Sequence, residues 1–437
     1  MGRLKERPQG GPLGRDPVSD DGDDLDLGPD LRWLVRLLWG EGGVHVSRSP
    51  DPPPATKPAG AYLVFPDVRR TRLLIRAGSS AAAKRALFSY NRLRPPATRF
   101  ARAMLGTGLR LGVAQRAFPD RLRVWVPEAC TVEDLPAVLV REHVRRLLGR
   151  EDDLMEVIGL RPVGPYSKPV LQLFTGRGDP LAYVKIGWND VTRELVENEA
   201  TFLRRHREQP FRSVWIPRAV SSERWNDLHV AIALPLPTAI RRFRPHPRIL
   251  PLAAMREIAE SGGITGSSFG VSGYWQRTRR SLSGLLAQGP SEDADIVTDF
   301  ADRLEERYGE ETVLFGRWHG DWAPWNLAWL GRTLVAWDWE HTAEDVPLGF
   351  DAVNFLFQSR FAGKQDTLPS SMTECRRVSP AALRGLGVPT MLHPLVVSAY
   401  LLEMYIRYSR THLAGAGVNE RFYPAILDLF GAGLPGG

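Results

Sequence analysis

The chain has 437 residues, 43% of them apolar and 24% charged, which allows a large core and two or three compact units of ordinary soluble character. Two cysteines, Cys130 and Cys375, exclude a disulfide framework or a cysteine-rich zinc site, and no run of 18 apolar residues is present to span a bilayer. The net charge of +7 is uneven, with 37 Lys and Arg against 28 Asp and Glu in residues 1–239 and 20 against 22 in residues 240–437, yet the arginines are scattered without a block of five, so a solvated surface fits better than a nucleic-acid partner.

Residues 1–30 are rich in Gly, Pro, Asp and Arg, with little to bury, and are expected to be disordered. They carry no apolar leader, and together with the cysteine usage this leads to an expectation of a cytoplasmic protein. Leu31 to Trp39 has the spacing of a short amphipathic helix, and residues 47–60 read as a Pro-rich linker, so that 1–60 is expected to be a tail and linker. Residues 61–150 read as an accessory α+β module. Two strands, AYLVFP and TRLLIRAG, are joined by a turn at Asp67–Arg70, and a helix over 81–93 is capped by Ser79 or Ser80. A helix over 97–108 and a strand over 121–126 follow, then one helix near 133–148.

From Met155 the pattern changes to three strands, MEVIGLRP, KPVLQLF and PLAYVKIG, followed by a helix from about Val191 to Arg207 and two further strands near 213–220 and 228–234. The shared strand–turn–strand–helix order of 61–91 and 170–206 raises the expectation of a degenerate internal repeat. LPLPT at 234–238 looks like a linker, and the pattern beyond it is mainly helical. There Pro394 to Ile406, interrupted by Glu403, is expected to be a buried helix.

The sequence HGDWAPWN at 319–326 precedes two short apolar runs flanking Gly331-Arg332, a strong hairpin signal. The implied register sets Leu330 opposite Thr333, Ala328 opposite Val335 and Asn326 opposite Trp337. Asn326 and Asp338 then emerge at one end of the hairpin, at a spacing of about 5 Å that suits two oxygen ligands on a hard cation such as Mg²⁺. Asp321 lies in the same turn. One carboxylate to orient a hydroxyl and take its proton, with an amide oxygen and a second carboxylate to hold metal, is the set that phosphoryl transfer needs.

Only six residues are Lys, so Lys185 in the middle of PLAYVKIG calls for an explanation. On the next helix Glu199 lies in the middle of the stripe formed by Leu195, Val196, Phe202 and Leu203. A carboxylate there needs a partner, and Lys185 is the obvious one. The loop VGPYSKP, 163–169, stands where a phosphate-covering loop would be. Gly164, Ser167 and Lys168 are its candidates for phosphate contact, although a plain surface turn fits equally. No Walker A pattern occurs.

Strand-Lys185, helix-Glu199, HGDWAPWN, the hairpin, DWE and PLGFD in this order resemble the aminoglycoside phosphotransferase and choline kinase family, over roughly residues 155–437. The resemblance implies a bilobal protein-kinase-like fold, with a β-rich small lobe over 151–238 and a mainly helical large lobe over 239–437. It implies Asp321 as catalytic Asp, Asn326 and Asp338 as Mg²⁺ ligands, and Lys185 on nucleotide phosphates with Glu199 holding it. His319 would brace the loop, Asp351 would tie it to the helix beneath, and Glu340 would assist the metal. The Trp-rich surround (Trp318, Trp322, Trp325, Trp329, Trp337, Trp339) is bulkier than is usual there, and most of it is expected to be packing.

The expected function is therefore transfer of the γ-phosphoryl of ATP, or GTP, to a hydroxyl of a small molecule, without a nucleic-acid or membrane partner. A pseudokinase or nucleotide-sensing module is the alternative. A protein kinase is disfavoured because HRD, DFG and APE signatures are absent.

Overall fold

The computed structural model describes residues 25–89, 93–244, 250–288, 291–415 and 419–433. Of the disorder expected for residues 1–30, residues 1–24 lie outside them, whereas Leu27 and Gly28 are buried and Pro29 and Asp30 already belong to the first helix. Helix α1 (Pro29–Trp39) begins with Pro at its first turn and buries Leu31, Leu34 and Leu38, three residues on one 3.6-period face. Each such burial stabilises by about 2 kcal/mol. Strands β1 (His45–Ser47) and β2 (Thr56–Phe65) follow.

The expected linker 47–60 is thus only partly irregular, since Thr56–Gly60 belong to β2 and pair with a later strand. Pro58 fits because the register shifts between it and Gly60, and because this half of β2 has no described partner on its other side.

Strand β3 (Leu73–Arg76) closes a hairpin with β2, through a turn in which Asp67 Oδ1 accepts from Arg69 N and Arg70 N, each at 2.9 Å. Helix α2 (Ser80–Phe88) is capped by Ser79, whose side chain accepts from Ala82 N, and ends earlier than expected because Ser89 is already extended. Helices α3 (Pro96–Arg110) and α4 (Val113–Ala117) lead to β4 (Arg121–Pro127). The single helix expected near 133–148 is two, α5 (Leu135–Val138) and α6 (Val140–Leu147), because Leu139 is extended at φ −126° and ψ 115°. The break turns Arg141 and Glu142 of α6 inward, where both are buried.

Strands β5 (Met155–Gly159), β6 (Val170–Phe174) and β7 (Pro180–Gly187), helix α7 (Asp190–Arg205), and strands β8 (Val214–Trp215), β9 (Ala219–Trp225) and β10 (Leu228–Ala233) follow the expected order. Nine strands form one sheet in the order β1-β4-β2-β3-β5-β6-β7-β10-β9. The strands of 61–150 and those of 151–238 other than β8, which joins a separate sheet, are therefore one layer, connected where Leu73, Leu74 and Ile75 pair with Gly159, Ile158 and Val157.

One core runs across the joint, from Leu31 and Leu38 through Val64 and Leu74 to Ile158, Val184 and Ile232. Tyr62 Oη donates to the buried Glu156 carboxylate across it at 2.5 Å. The expected internal repeat is not seen in the strand order. The strand after α2–α3 joins the first strand of its hairpin, β2, whereas β10, after α7, joins the second strand of its hairpin, β7.

Beyond the segment 234–240, β11 (Arg241–Arg242) leads into a mainly helical half. It contains α8 (Leu252–Ser261), β12 (Thr265–Ser268), α9 (Gly273–Leu286), α10 (Ser291–Tyr308) and β13 (Thr312–Trp318). Then come β14 (Leu327–Leu330), β15 (Thr333–Ala336), β16 (Ala343–Pro347), α11 (Phe350–Phe361), α12 (Leu368–Leu386), α13 (His393–Leu413) and α14 (Tyr423–Gly431). The core of this half centres on α13, whose Leu395, Tyr400, Leu401 and Leu402 are fully buried as expected for 394–406. Among the described residues no helix is long and apolar enough to cross a membrane. A strand-rich half built on the nine-stranded sheet is thus followed by a mainly helical half, and the strands before residue 150 extend that same sheet.

Candidate active site

Strand β7 alternates strictly: Ala182, Val184 and Ile186 are buried in the sheet core, so Tyr183 and Lys185 project from the opposite face. Helix α7 starts at Asn189, which caps it reciprocally with Thr192, and packs Val196, Ala200, Phe202 and Leu203 inward. Glu199 is on that face and only 7% exposed. Its Oε2 accepts from Lys185 Nζ at 2.5 Å, the partnership expected from the helical period.

The hairpin β14–β15 has the expected register, with Leu330 opposite Thr333 and Ala328 opposite Val335. Trp337 N donates to Asn326 O at 3.2 Å, which fixes Asn326 and Asp338 at the same end. Asp338 has φ 72° and leaves the strand abruptly, and its Oδ1 lies 2.5 Å from Lys185 Nζ.

The preceding loop is held by its own backbone. Asp351, in the first turn of α11, accepts from His319 N at 2.8 Å and Gly320 N at 3.3 Å. Gly320 has φ 84°, and a Cβ there would lie 2.1 Å from His341 O, so no other residue fits. His319 is fully buried and neutral: burial pushes its pKa down to about 3, and its ring accepts from Asp321 N through Nδ1 at 3.2 Å while Nε2 faces Trp337 O at 3.2 Å. These two bonds assign the proton to Nε2. Asn326 Nδ2 donates to Asp321 Oδ2 at 2.7 Å and Asp321 O at 3.0 Å. The Asn326 side-chain NH₂ is thus committed to the Asp321 loop.

The charges are tuned by burial. The Asp321 carboxyl is pushed up to about 6, chiefly by desolvation and against the pull of Arg407. Burial opposes ionisation of Asp338 as well, but the Lys185 ammonium outweighs it and holds Asp338 below the usual carboxylate range. Burial, then the Asp338 charge, pushes Glu340 up. Burial disfavours the Lys185 charge, yet Asp338, Glu199 and Glu340 together hold its pKa well above the ordinary lysine value. Asp351 is pushed up to about 7 by burial, opposed by its two N–H donors.

The structure brings together Lys185, Glu199, Asp321, Asn326 and Asp338, all of which line one cleft of about 690 Å³ between the lobes. His319 and Asp351 stand behind them. Glu340 pairs with Lys168 at 3.1 Å, linking the loop 163–169 to the large lobe. Glu199, Asp338 and Glu340 each offer a carboxylate oxygen within 4.8 Å of the others, gathered around the Lys185 ammonium.

Gly164 and Ser167 are not in the cleft lining. Gly164 N donates to Ser167 Oγ at 2.9 Å, and Ser167 Oγ donates in turn to Pro162 O at 3.1 Å, so this loop spends these groups on its own turn. Of the tryptophans, Trp318, Trp322 and Trp339 are buried packing residues, with Trp339 stacked on Phe202 at 4.2 Å. Trp325 and Trp337 line the cleft.

Three supporting residues escaped the sequence reading. Arg407 of α13 donates to Gly320 O at 2.7 Å and lies 5.4 Å over the Trp318 ring. Asn198 donates to Glu340 O and Thr342 O, each at 2.9 Å. Asn354 donates to Trp322 O at 3.2 Å, and its side-chain oxygen accepts from Tyr400 Oη at 2.8 Å. Asn354 lies one helical turn after Asp351, a spacing visible in the sequence. Arg407 is 87 residues from its partner and gives no local signal.

No family model matches the sequence, and no curated protein matches it either. Solved structures with a similar fold include a thermostable mutant of aminoglycoside phosphotransferase APH(4)-Ia in ternary complex with AMP-PNP and hygromycin B. It is 14% identical at a TM-score of 0.43, covering 66% of this chain and 99% of its own. Choline kinase LicA from Streptococcus pneumoniae is 13% identical at 0.43, covering 67% of this chain and 98% of its own. ADP-bound aminoglycoside phosphotransferase APH(2'')-Ib is 11% identical at 0.42, covering 67% and 97%. The chain is thus similar to aminoglycoside phosphotransferases and choline kinases, at low identity and across about two thirds of its length.

Proposed function

We propose that this chain is a small-molecule kinase, transferring the γ-phosphoryl group of ATP or GTP to a hydroxyl. The observation that carries the reading is the convergence of Asp321, Asn326, Asp338 and the Lys185–Glu199 pair on one cleft between two lobes. Lys185, anchored by Glu199, neutralises charge on the nucleotide phosphates. Asp321 orients the acceptor hydroxyl and takes its proton as the acceptor oxygen bonds to the γ-phosphorus. The bond to the β–γ bridging oxygen breaks in line, and the nucleoside diphosphate leaves. Mg²⁺ would be held by Asn326 and Asp338, with Glu340 as a further carboxylate, and would supply neutralisation of the phosphate charge. Asp351, His319 and Arg407 hold the Asp321 loop in place before any substrate arrives, so little reorganisation is left for the reaction itself.

The experiment is a thermal shift of the full chain with MgATP and MgGTP, in wild type and Asp338→Asn, followed by an acceptor screen reading ADP or GDP release. A ligand that binds only the folded state stabilises by about 2.7 kcal/mol at a hundredfold excess over Kd. A metal-dependent shift lost in Asp338→Asn, with acceptor-dependent diphosphate release in wild type, is the expected result. Nucleotide binding without turnover over a broad acceptor panel would replace the kinase reading with that of a nucleotide-sensing module.

A further inference from the structure

The cleft has two chemistries. Lys185, Glu199, Asp321, Asn326 and Asp338 make one end charged. Tyr183 is two residues before Lys185 on the same face of β7, roughly 7 Å along the strand. Around it the lining becomes apolar, with Ala233, which stands opposite it on β10, and with Leu236 and Trp337, which pack on the same small core. A charged end of this kind suits phosphates, and the flat, mainly apolar end suits a heteroaromatic base.

That second end is not built by the kinase-like lobes alone. Leu93, Arg94 and Pro95, from the connector between α2 and α3 of the N-terminal layer, line the same cleft. Leu93 is half-buried. It packs on the small core of Ile240, Ala328 and Val335, the same core on which Tyr183, Leu236 and Trp337 pack. Behind Leu93, α3 is tied to α2, since Arg102 Nε donates to Leu87 O at 2.9 Å. Burial lowers the pKa of Arg102, and the nearby Arg94 charge lowers it further.

We infer that Leu93 is a wall of the nucleobase subsite, so that the N-terminal layer forms part of the nucleotide-binding site and takes the planar base of a nucleoside triphosphate. This rests on the phosphotransferase reading given above. It gives residues before 150 a place in the donor site as well as in the shared sheet.

The test measures binding of MgATP, and of magnesium tripolyphosphate as a base-free probe, to the full chain by calorimetry and displacement. Wild type, Leu93→Ala and Leu93→Met are compared. Leu93→Ala is expected to weaken MgATP about tenfold, since a few methyl and methylene contacts in an apolar pocket carry about that discrimination. It should leave tripolyphosphate within twofold, and Leu93→Met should restore ATP affinity. In turnover the KM for ATP rises while kcat at saturating ATP stays within twofold.

Equal weakening of both probes, or no change in either, overturns the inference while leaving the kinase reading intact. A wild-type chain that binds neither probe overturns the kinase reading and this inference with it.

Discussion

Glu199→Gln tests the central electrostatic contact of the site. The substitution keeps the size of the side chain and an oxygen to accept one hydrogen bond, but removes the charge facing Lys185 at 2.5 Å. Breaking a buried pair outright costs about 3–5 kcal/mol because it strands a charge. Here Asp338 also lies 2.5 Å from Lys185 Nζ, so the ammonium keeps a partner. The expected stability loss is therefore smaller, about 1.5–3 kcal/mol, the value of a hydrogen bond to a charged group. Turnover should suffer more. With Glu199 neutral, Asp338 and Glu340 are left to pull on Lys185 and draw it off the position proposed for the phosphates. Loss of a preorganised electrostatic donor costs about 10²–10³ in kcat. Urea denaturation reads the first effect and diphosphate release the second. A variant with an unchanged urea midpoint and turnover within twofold of wild type would refute the claim that Glu199 positions Lys185.

Asp321→Asn should lower kcat by at least about 10², the usual worth of a general base, with a urea midpoint equal to or above wild type because the change removes a carboxylate that burial already disfavours. The same carboxyl sets a pH limb. It must be ionised to accept the proton and its pKa is raised to about 6, so kcat/KM should be flat above that pH and fall with unit slope below it; a pH–rate profile lacking this limb would remove Asp321 from the role. Gly320→Ala should destabilise the chain by more than about 2 kcal/mol, read as a drop in urea midpoint, because the new Cβ meets His341 O at 2.1 Å in a left-handed conformation. Removing residues 1–150 should yield an aggregating product that fails to protect its amides from exchange, since it uncovers the β5 edge and takes away the Tyr62 partner of the buried Glu156; a folded, monomeric truncated chain would show the layer to be dispensable.

What was legible in the sequence followed physical rules that act over short distances. The hairpin register came from a two-residue Gly-Arg turn, and the Lys185–Glu199 pair from the periods of a strand and a helix. Those rules cannot report what lies across the fold. Leu139 interrupts a sequence that keeps its helical period on both sides, and the break shows only in its extended backbone. Pro58 read as linker because proline disfavours strands, yet a register shift and an unpaired edge accommodate it. Gly164 and Ser167 are the residue types that cradle phosphates, but the same types also close turns on themselves, which is what they do here. Arg407 had to be met in space, since nothing near it in sequence marks it as a partner of Gly320 O.

The joined sheet changes what the N-terminal 150 residues are for. In a separate module, β5 would be the edge strand of the small lobe, with one side open to solvent or to another chain. Here β3 covers that edge, and the core and the Tyr62–Glu156 bond continue across the joint. The strand β5 leads directly into the loop 163–169, whose Lys168 reaches Glu340, and that loop is pinned to the start of α7 by Asn189 Nδ2 on Pro165 O at 2.9 Å and Trp188 Nε1 on Ser167 O at 2.8 Å. The N-terminal layer thus stiffens the strand that presents the loop, and the loop in turn contacts both the helix carrying Glu199 and the segment carrying Asp338. A substitution in the β3–β5 ladder should therefore reach the site through this chain of packed elements, and should appear as a rise in KM for the nucleotide before any change in the chemistry at Asp321.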